Sequence, residues 1–250
     1  MKKSVFIVLS SVLPMLMMAQ NTTTVTDCQG HEYPVVKLGS QYWMAENLQC
    51  TKYDTQSERA GVEIHTAFSN VYAPYYIDGR YANTEYSGYL TNAQREHLKL
   101  LYNWAAAMGY TESQSQNLGS YSGRRQGICP NGWHLPSRSD WNTLAIELGG
   151  VPKPKSNEYM DYSNVGAKLK SGSGWHNGGN GTDDYKFSGV PTGCAYGDKV
   201  ESVGGWSYFW SSEAKNSDGA YVRYLSYDSS DLGEDYYSKR SARSVRCVKD

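Results

Sequence analysis

One segment of this chain carries a sustained helical period. Trp141, Leu144, Ala145 and Leu148 fall at i, i+3, i+4 and i+7, one face of a helix predicted over 138–148. Ser137 and Asp140 have the S-x-x-D spacing of a capping box, and Gly149-Gly150 stops the helix. Elsewhere the apolar residues come in short runs broken by Gly, Ser and Asn. With 25 Gly and an apolar share of only 39%, the residues point to a compact, loop-rich, mostly β globule.

Composition excludes several classes. The 7 Trp and 22 Tyr are too many for a disordered chain. A formal charge of −1 does not suit a nucleic-acid binder. There is one apolar run, Val5–Met18, too short for the ~20 residues that span a bilayer. It follows Lys2 and Lys3 and ends at Ala19, before Gln20 and a run of Thr. This layout predicts a secretory signal peptide over 1–19 and a single mature domain over 20–250. The mature chain then holds 22 basic and 25 acidic residues, a formal charge of −3. The exported product is expected in the periplasm, at the cell surface or secreted, with no membrane span after signal cleavage.

The five cysteines are consistent with an oxidising compartment. None is spaced as C-x-x-C, which weakens zinc and redox readings. Gly39-Ser40 reads as a two-residue hairpin turn, so that facing positions sum to 79. Cys28 and Cys50 sum to 78 and are expected to pair, in a bridge worth ~3 kcal/mol. Cys129 and Cys247 are a second candidate pair, and Cys194 is left over. The alternative for each is a buried thiol.

Between these landmarks the chain is less regular. Thr51–Gly88 reads as long Tyr-rich loops, with Tyr72, Tyr75, Tyr76, Tyr81, Tyr86 and Tyr89. Thr91–His97 is a candidate short helix. Leu98–Ala107 fits either a helix or a buried strand. Thr111–Gln126, Val151–Tyr162, Gly172–Gly181 and Asp228–Tyr237 read as loops. Strands are expected at Tyr208–Ser211, Ala220–Tyr227 and Ser241–Val248.

Ordered motifs then carry a resemblance. After Asp27, Gly30 and Val35–Gly39 come Trp43-Met44-Ala45-Glu46-Asn47-Leu48 and Leu101-Tyr102-Asn103-Trp104. Cys129-Pro130-Asn131-Gly132-Trp133-His134-Leu135-Pro136-Ser137 follows, with Trp141 in the helix behind it. Gly166-Ala167-Lys168-Leu169-Lys170, Phe209-Trp210-Ser211-Ser212 and Ser244-Val245-Arg246-Cys247-Val248 complete the set. The series resembles the Fibrobacter succinogenes major paralogous (FISUMP) domain, over about 27–250, with a long loop region at about 51–99. The resemblance implies an α+β fold: an irregular C-type-lectin-like or formylglycine-generating-enzyme-like domain. Such a domain has short twisted antiparallel strands, one clear helix at about 138–148, and long loops. It also implies a bacterial exported protein with a binding or adhesive role at the cell surface. Cys28 and Cys50 are additions to the family pattern, which supports their pairing with each other.

Catalysis is not expected. Formylglycine-generating chemistry would need two close cysteines near the end of the chain, where only Cys247 stands. His134, in a Trp-His-x-Pro segment, reads as a packed structural residue. His31, His65, His97 and His176 lie in polar loops with no evident partner. Asp183, Asp184, Asp228, Asp231, Glu234 and Asp235 lack EF-hand spacing and read as solvated acids, so no cofactor is expected, with loop-bound calcium the alternative. The Tyr excess is the sharpest clue, since Tyr gives rigid amphipathic contact at low entropy cost. Trp175, His176, Tyr196, Trp206, Tyr208 and Tyr227 are the expected ligand lining. Trp133, Trp141, Trp210 and Arg246 are assigned to the core. The leading expectation is a non-catalytic binding module for glycan or extracellular protein. A self-associating structural or adhesive envelope component is the alternative, and an enzyme of unknown type comes third.

Overall fold

The computed structural model describes residues 23–64, 66, 73–80, 83–84, 98–156 and 158–250. The expected signal peptide, the Thr91–His97 helix, His65, His97, Tyr72, Tyr81, Tyr86 and Tyr89 lie outside them.

In chain order the strands begin with β1 (Thr23–Thr26), β2 (Glu32–Leu38), β3 (Gln41–Met44), β4 (Tyr76–Asp78), β5 (Asn83–Thr84), β6 (Leu100–Asn103) and β7 (Trp133–His134). They continue with β8 (Val151–Pro154), β9 (Met160–Ser163), β10 (Cys194–Tyr196), β11 (Lys199–Glu201) and β12 (Trp206–Ala214). The last are β13 (Gly219–Ser226), β14 (Gly233–Ser238), β15 (Ala242–Arg243) and β16 (Val248–Lys249). The helices are α1 (Trp104–Met108), α2 (Glu112–Asn117), α3 (Arg138–Glu147) and α4 (Gly166–Leu169), with a 3-10 turn at His176–Gly178.

The expected α+β, C-type-lectin-like arrangement with one helix is overturned. The molecule is mostly β, 37% strand against 14% helix, in curled antiparallel sheets, with four short helices among the described residues. The capped helix α3 does form, and Ser137 and Asp140 close their capping box. The other helices are too short to show a period. Leu98–Ala107, ambiguous in sequence, is divided at Asn103. Strand β6 ends there, and the Asn103 side chain accepts from Ala106 N to start α1. All five residues of α1 are buried, so no polar face marks it. Helix α2 sits inside an expected loop, started by a Thr111–Gln114 capping box. Two other expected loops contain strands. β8 is an exposed edge strand, where Pro152 and Pro154 are tolerated, paired with the more buried β9, and β14 pairs with β13.

The predicted hairpin register is found: Val35 faces Met44, Val36 Trp43, Lys37 Tyr42 and Leu38 Gln41. Gly39 takes φ +59°, which L side chains rarely adopt. Its turn docks on α3, where the Glu147 carboxylate accepts from Ser40 N at 2.8 Å and Ser40 Oγ at 3.0 Å. The five-stranded sheet runs β1-β2-β3-β16-β7, so the late strand β16 lies between two early ones. A second sheet runs β4-β6-β15-β10-β11-β5, and a third β12-β13-β14.

Two large cores flank the third sheet. One gathers Trp43, Trp141, Phe187, Phe209 and Leu225; the other gathers Tyr102, Trp104, Trp210, Val222 and Met108. Cys129 and Cys247 are disulfide-bonded, with Cα atoms 5.9 Å apart across a separation of 118 residues. The Cys28 and Cys50 sulfurs lie 3.7 Å apart as free thiols, and Cys194 is free and buried. Trp133, Trp141, Trp210 and Arg246 are core residues, as the sequence suggested. Tyrosine is not confined to the surface, however. Tyr33, Tyr53, Tyr75 and Tyr102 are buried, with hydroxyls donating to Asp27 Oδ2, Ala106 O, Arg240 O and Cys50 O. A Phe would forfeit each of these hydrogen bonds, which is a physical reason for the imbalance of 22 Tyr to 4 Phe.

Candidate functional site

The site grows out of the β12-β13-β14 sheet. Pairing sets Tyr208 opposite Tyr224, Tyr224 opposite Gly233, and Ala220 opposite Tyr237. Because side chains alternate along a strand, Trp206, Tyr208, Tyr224 and Tyr237 share one face, and Phe209, Tyr221, Arg223 and Leu225 take the other. Gly233 and Ala220 leave room on the first face for large rings to lie across their neighbours. A Cβ built on Gly233 would sit 2.1 Å from Tyr224 Cζ.

The result is a connected aromatic field. The Trp206 and Tyr208 rings are parallel within 7° at 5.8 Å, and Tyr224 lies 5.5 Å from Trp206. Tyr237 meets Tyr208 edge-on at 5.4 Å. Burial pushes the hydroxyls of Tyr208, Tyr224 and Tyr237 above the usual tyrosine range. They are therefore neutral at physiological pH and serve as hydrogen-bonding groups rather than charges.

Beneath the field lies Arg243, on β15, and it differs from the other buried arginines. Arg246 donates to Asn47 Oδ1 and to the carbonyls of Met44, Phe187 and Ser188. Arg223 has Glu234 at 3.2 Å, with Asn142 Oδ1 and Met160 O, and leaves only Nε unmatched. Arg243 is 0% exposed, yet its one oxygen partner among the described residues is Tyr196 Oη, 3.1 Å from Nη2, with the buried Cys194 thiol, a weak acceptor, also beside the guanidinium. Its Nε and Nη1 have no partner. Instead the guanidinium is surrounded by rings: Tyr237 at 4.2 Å, Tyr208 at 4.8 Å, Trp210 at 5.4 Å and Tyr196 at 5.6 Å. Such contacts attract the cation through the ring quadrupole but take up none of its N–H groups.

The six residues expected from sequence fall into two neighbouring groups. Tyr196 and Tyr208 lie against Arg243, and Trp206 stacks on Tyr208; Tyr196 is exposed at 42%, Trp206 is half-buried and Tyr208 is buried. Trp175, His176 and Tyr227 form the second group. Trp175 is buried, its Nε1 donating to Ser171 Oγ, so it supports the surface rather than lining it. His176 seats its ring over Gly204, where a Cβ would meet Nε2 at 2.1 Å, and faces Tyr227 edge-on at 6.5 Å. The Gly204–Trp206 segment joins the groups: Gly204 O accepts from His176 N and Gly205 O from Tyr227 N. Sequence reasoning missed Tyr224, Tyr237 and Arg243. A strand over Ala220–Tyr227 puts Tyr224 and Tyr221 on opposite faces by alternation, but no local signal marks Arg243.

Two cavities elsewhere compare poorly. A groove of about 1080 Å³ runs between β2 and the 171–190 loop, lined by Lys37, Glu46, Asn47, Lys99 and Lys186. Its buried amide, Asn47, is committed to Arg246 and Ser244. A cleft of about 720 Å³ borders His134. There Nε2 lies 3.3 Å from Asp140 Oδ2 and Nδ1 2.8 Å from Asp250 Oδ1, with Arg124 Nε also at 3.2 Å. Burial works to raise Asp140, but hydrogen bonds from His134 and Ser137 outweigh it and hold the carboxyl below the usual range. Both ring nitrogens of this buried histidine are thus engaged, which suits a clamp joining β7, α3 and β16 better than a free general base.

Among the described residues no group of three or more His, Cys, Asp or Glu is arranged to hold a metal ion. At least four of the six loop acids considered for calcium have partners within the protein. Asp183 accepts from Ser188, Asp228 from Ser226, Asp231 from Lys153, and Glu234 from Arg138. Among those residues no helix is long and apolar enough to cross a membrane. The model of the Fibrobacter succinogenes major domain matches residues 36–249. No curated protein and no solved structure matches the chain.

Proposed function

The chain belongs to the Fibrobacter succinogenes major domain family, a family of unknown function, and from that premise we propose an exported, non-catalytic binding module. The module takes glycan or extracellular protein on the ring surface around Trp206 and Tyr196. One observation carries the reading: surface and buried rings are held in fixed relation by strand pairing, over a buried guanidinium that no carboxylate among the described residues meets. Rigid rings lose little entropy on binding and present flat apolar faces with polar rims. Export is supported by the Cys129–Cys247 disulfide, since such bonds persist in oxidising compartments.

The test is a glycan array and an extracellular-protein pull-down with residues 20–250, repeated with Trp206→Ala. Binding that falls at least tenfold in the variant supports the reading. Binding to nothing, together with self-association at micromolar concentration, would replace it with a self-assembling envelope component.

A further inference from the structure

We propose that Arg243 is the recognition group of this surface and that its ligand is an acidic saccharide, a sugar ring bearing a carboxylate. The proposal rests on the binding-module reading and gives it a chemical class. A buried guanidinium with unmatched N–H groups is costly, and buried cations are otherwise paired or fully hydrogen-bonded. Arg223 and Arg246 in this molecule obey that rule far more closely. Arg243 leaves Nε and Nη1 unused, and the ion pairs among described residues do not include it.

The geometry says how an anion would enter. Nε and Nη2 form one edge of the guanidinium fork, the edge that meets a carboxylate with two parallel hydrogen bonds. Nη2 is held by the Tyr196 hydroxyl, which stands where one carboxylate oxygen would sit, while Nε is buried and unpaired. Tyr196 is the exposed member of the group, at the end of β10 beside Gly197, whose φ is +61°. Rotation of this one surface ring uncovers the edge. The carboxylate then takes Nε and Nη2, Nη1 is left for a neighbouring hydroxyl, and the sugar's C–H face meets Trp206 and Tyr237. A bare acidic side chain would satisfy the fork but leave those ring faces unused, which favours a saccharide.

The test uses residues 20–250, following tryptophan fluorescence and calorimetry. The probes are a galacturonic acid trisaccharide, its carboxyl-reduced neutral counterpart, and a penta-aspartate peptide. The acid should bind at least tenfold tighter than the neutral sugar. Arg243→Lys, which keeps the charge but loses the fork, should abolish that preference. Tyr196→Phe should strengthen acid binding threefold or more by releasing Nη2; a purely structural hydrogen bond would lower stability with no gain in affinity. Should Arg243→Lys not fold, the surface variant Tyr196→Phe decides. Equal, Trp206-dependent binding of acid and neutral sugars overturns the proposal and leaves the binding module standing. Peptide binding as tight as that of the uronate overturns it in favour of a protein partner. Binding of no probe sinks the proposal, and the array and pull-down then decide the module on their own.

Discussion

The ring of Tyr224 lies across the backbone of Gly233 on the neighbouring strand, in the space a side chain at 233 would need. Gly233→Ala should therefore push the ring outward. Tyr224 is only half-buried and can give way, so the stability loss is expected to be about 1–2 kcal/mol. The larger effect should fall on the surface: Trp206 loses its neighbour at 5.5 Å, and its fluorescence and ligand affinity should change together. An unaltered Trp206 spectrum in a folded variant would show that the glycine serves only the strand.

Cys28 and Cys50 should oxidise to a disulfide. Their sulfurs face each other at 3.7 Å and need to close to the ~2.05 Å of a bond. Burial raises both thiols above their usual range, so spontaneous exchange should be slow and an oxidant should speed it. Non-reducing mass spectrometry after treatment with oxidised glutathione should give one peptide joining 28 to 50. The unfolding free energy should rise by about 3 kcal/mol. A Cys28 peptide joined to any other cysteine would refute the pairing.

The Cys129–Cys247 bridge closes a much longer loop, with 118 residues of separation. Replacing both cysteines with Ala should cost about 2–5 kcal/mol, read by urea unfolding. Dithiothreitol should weaken the native chain by a similar amount and leave the double variant's midpoint unchanged.

Lys239 supplies a pH signature. Burial holds its amine down, at about 8, despite Asp218 nearby, while Nζ donates to the Leu118 carbonyl beyond α2. The unfolded chain keeps an ordinary lysine near 10.4 and so binds more protons between about pH 8 and 10. The cost of charging the buried amine is fully present below about pH 8 and is relieved as pH rises through that window. Native stability should therefore climb relative to Lys239→Met from pH 7.5 to 9.5. Parallel stability curves would place the amine in solvent.

Much of this was legible in the residues. The Gly39-Ser40 turn fixed a whole register because a two-residue connection leaves none to choose. The S-x-x-D box located α3 for a similar reason: its signal is local and sufficient. Helix α1 escaped because burial on every side erases the period, and α2 because a single capping box sits in a polar stretch. The fold class went astray with them, since one visible helix and a resemblance were weighed as α+β. The site was half legible. Alternation separated Tyr224 from Tyr221, but Arg243 acquires its meaning from Tyr196, Tyr208 and Tyr237, brought to it by three different strands. Nothing in its own neighbourhood of sequence encodes those partners.

The position of β16, between β3 and β7, also sets a timetable. Residues 41–44 are synthesised some two hundred positions ahead of Val248, the residue that Trp43 pairs with. Until that late segment emerges, one edge of the early hairpin is open and the core under Trp43 and Trp141 is unsealed. Pairings of such long sequence separation are slow to form, because the loop must close before the contacts reward it. The sheet thus stays unfinished until almost the whole chain has left the ribosome. It is completed only when the last strand slides in beside the first hairpin.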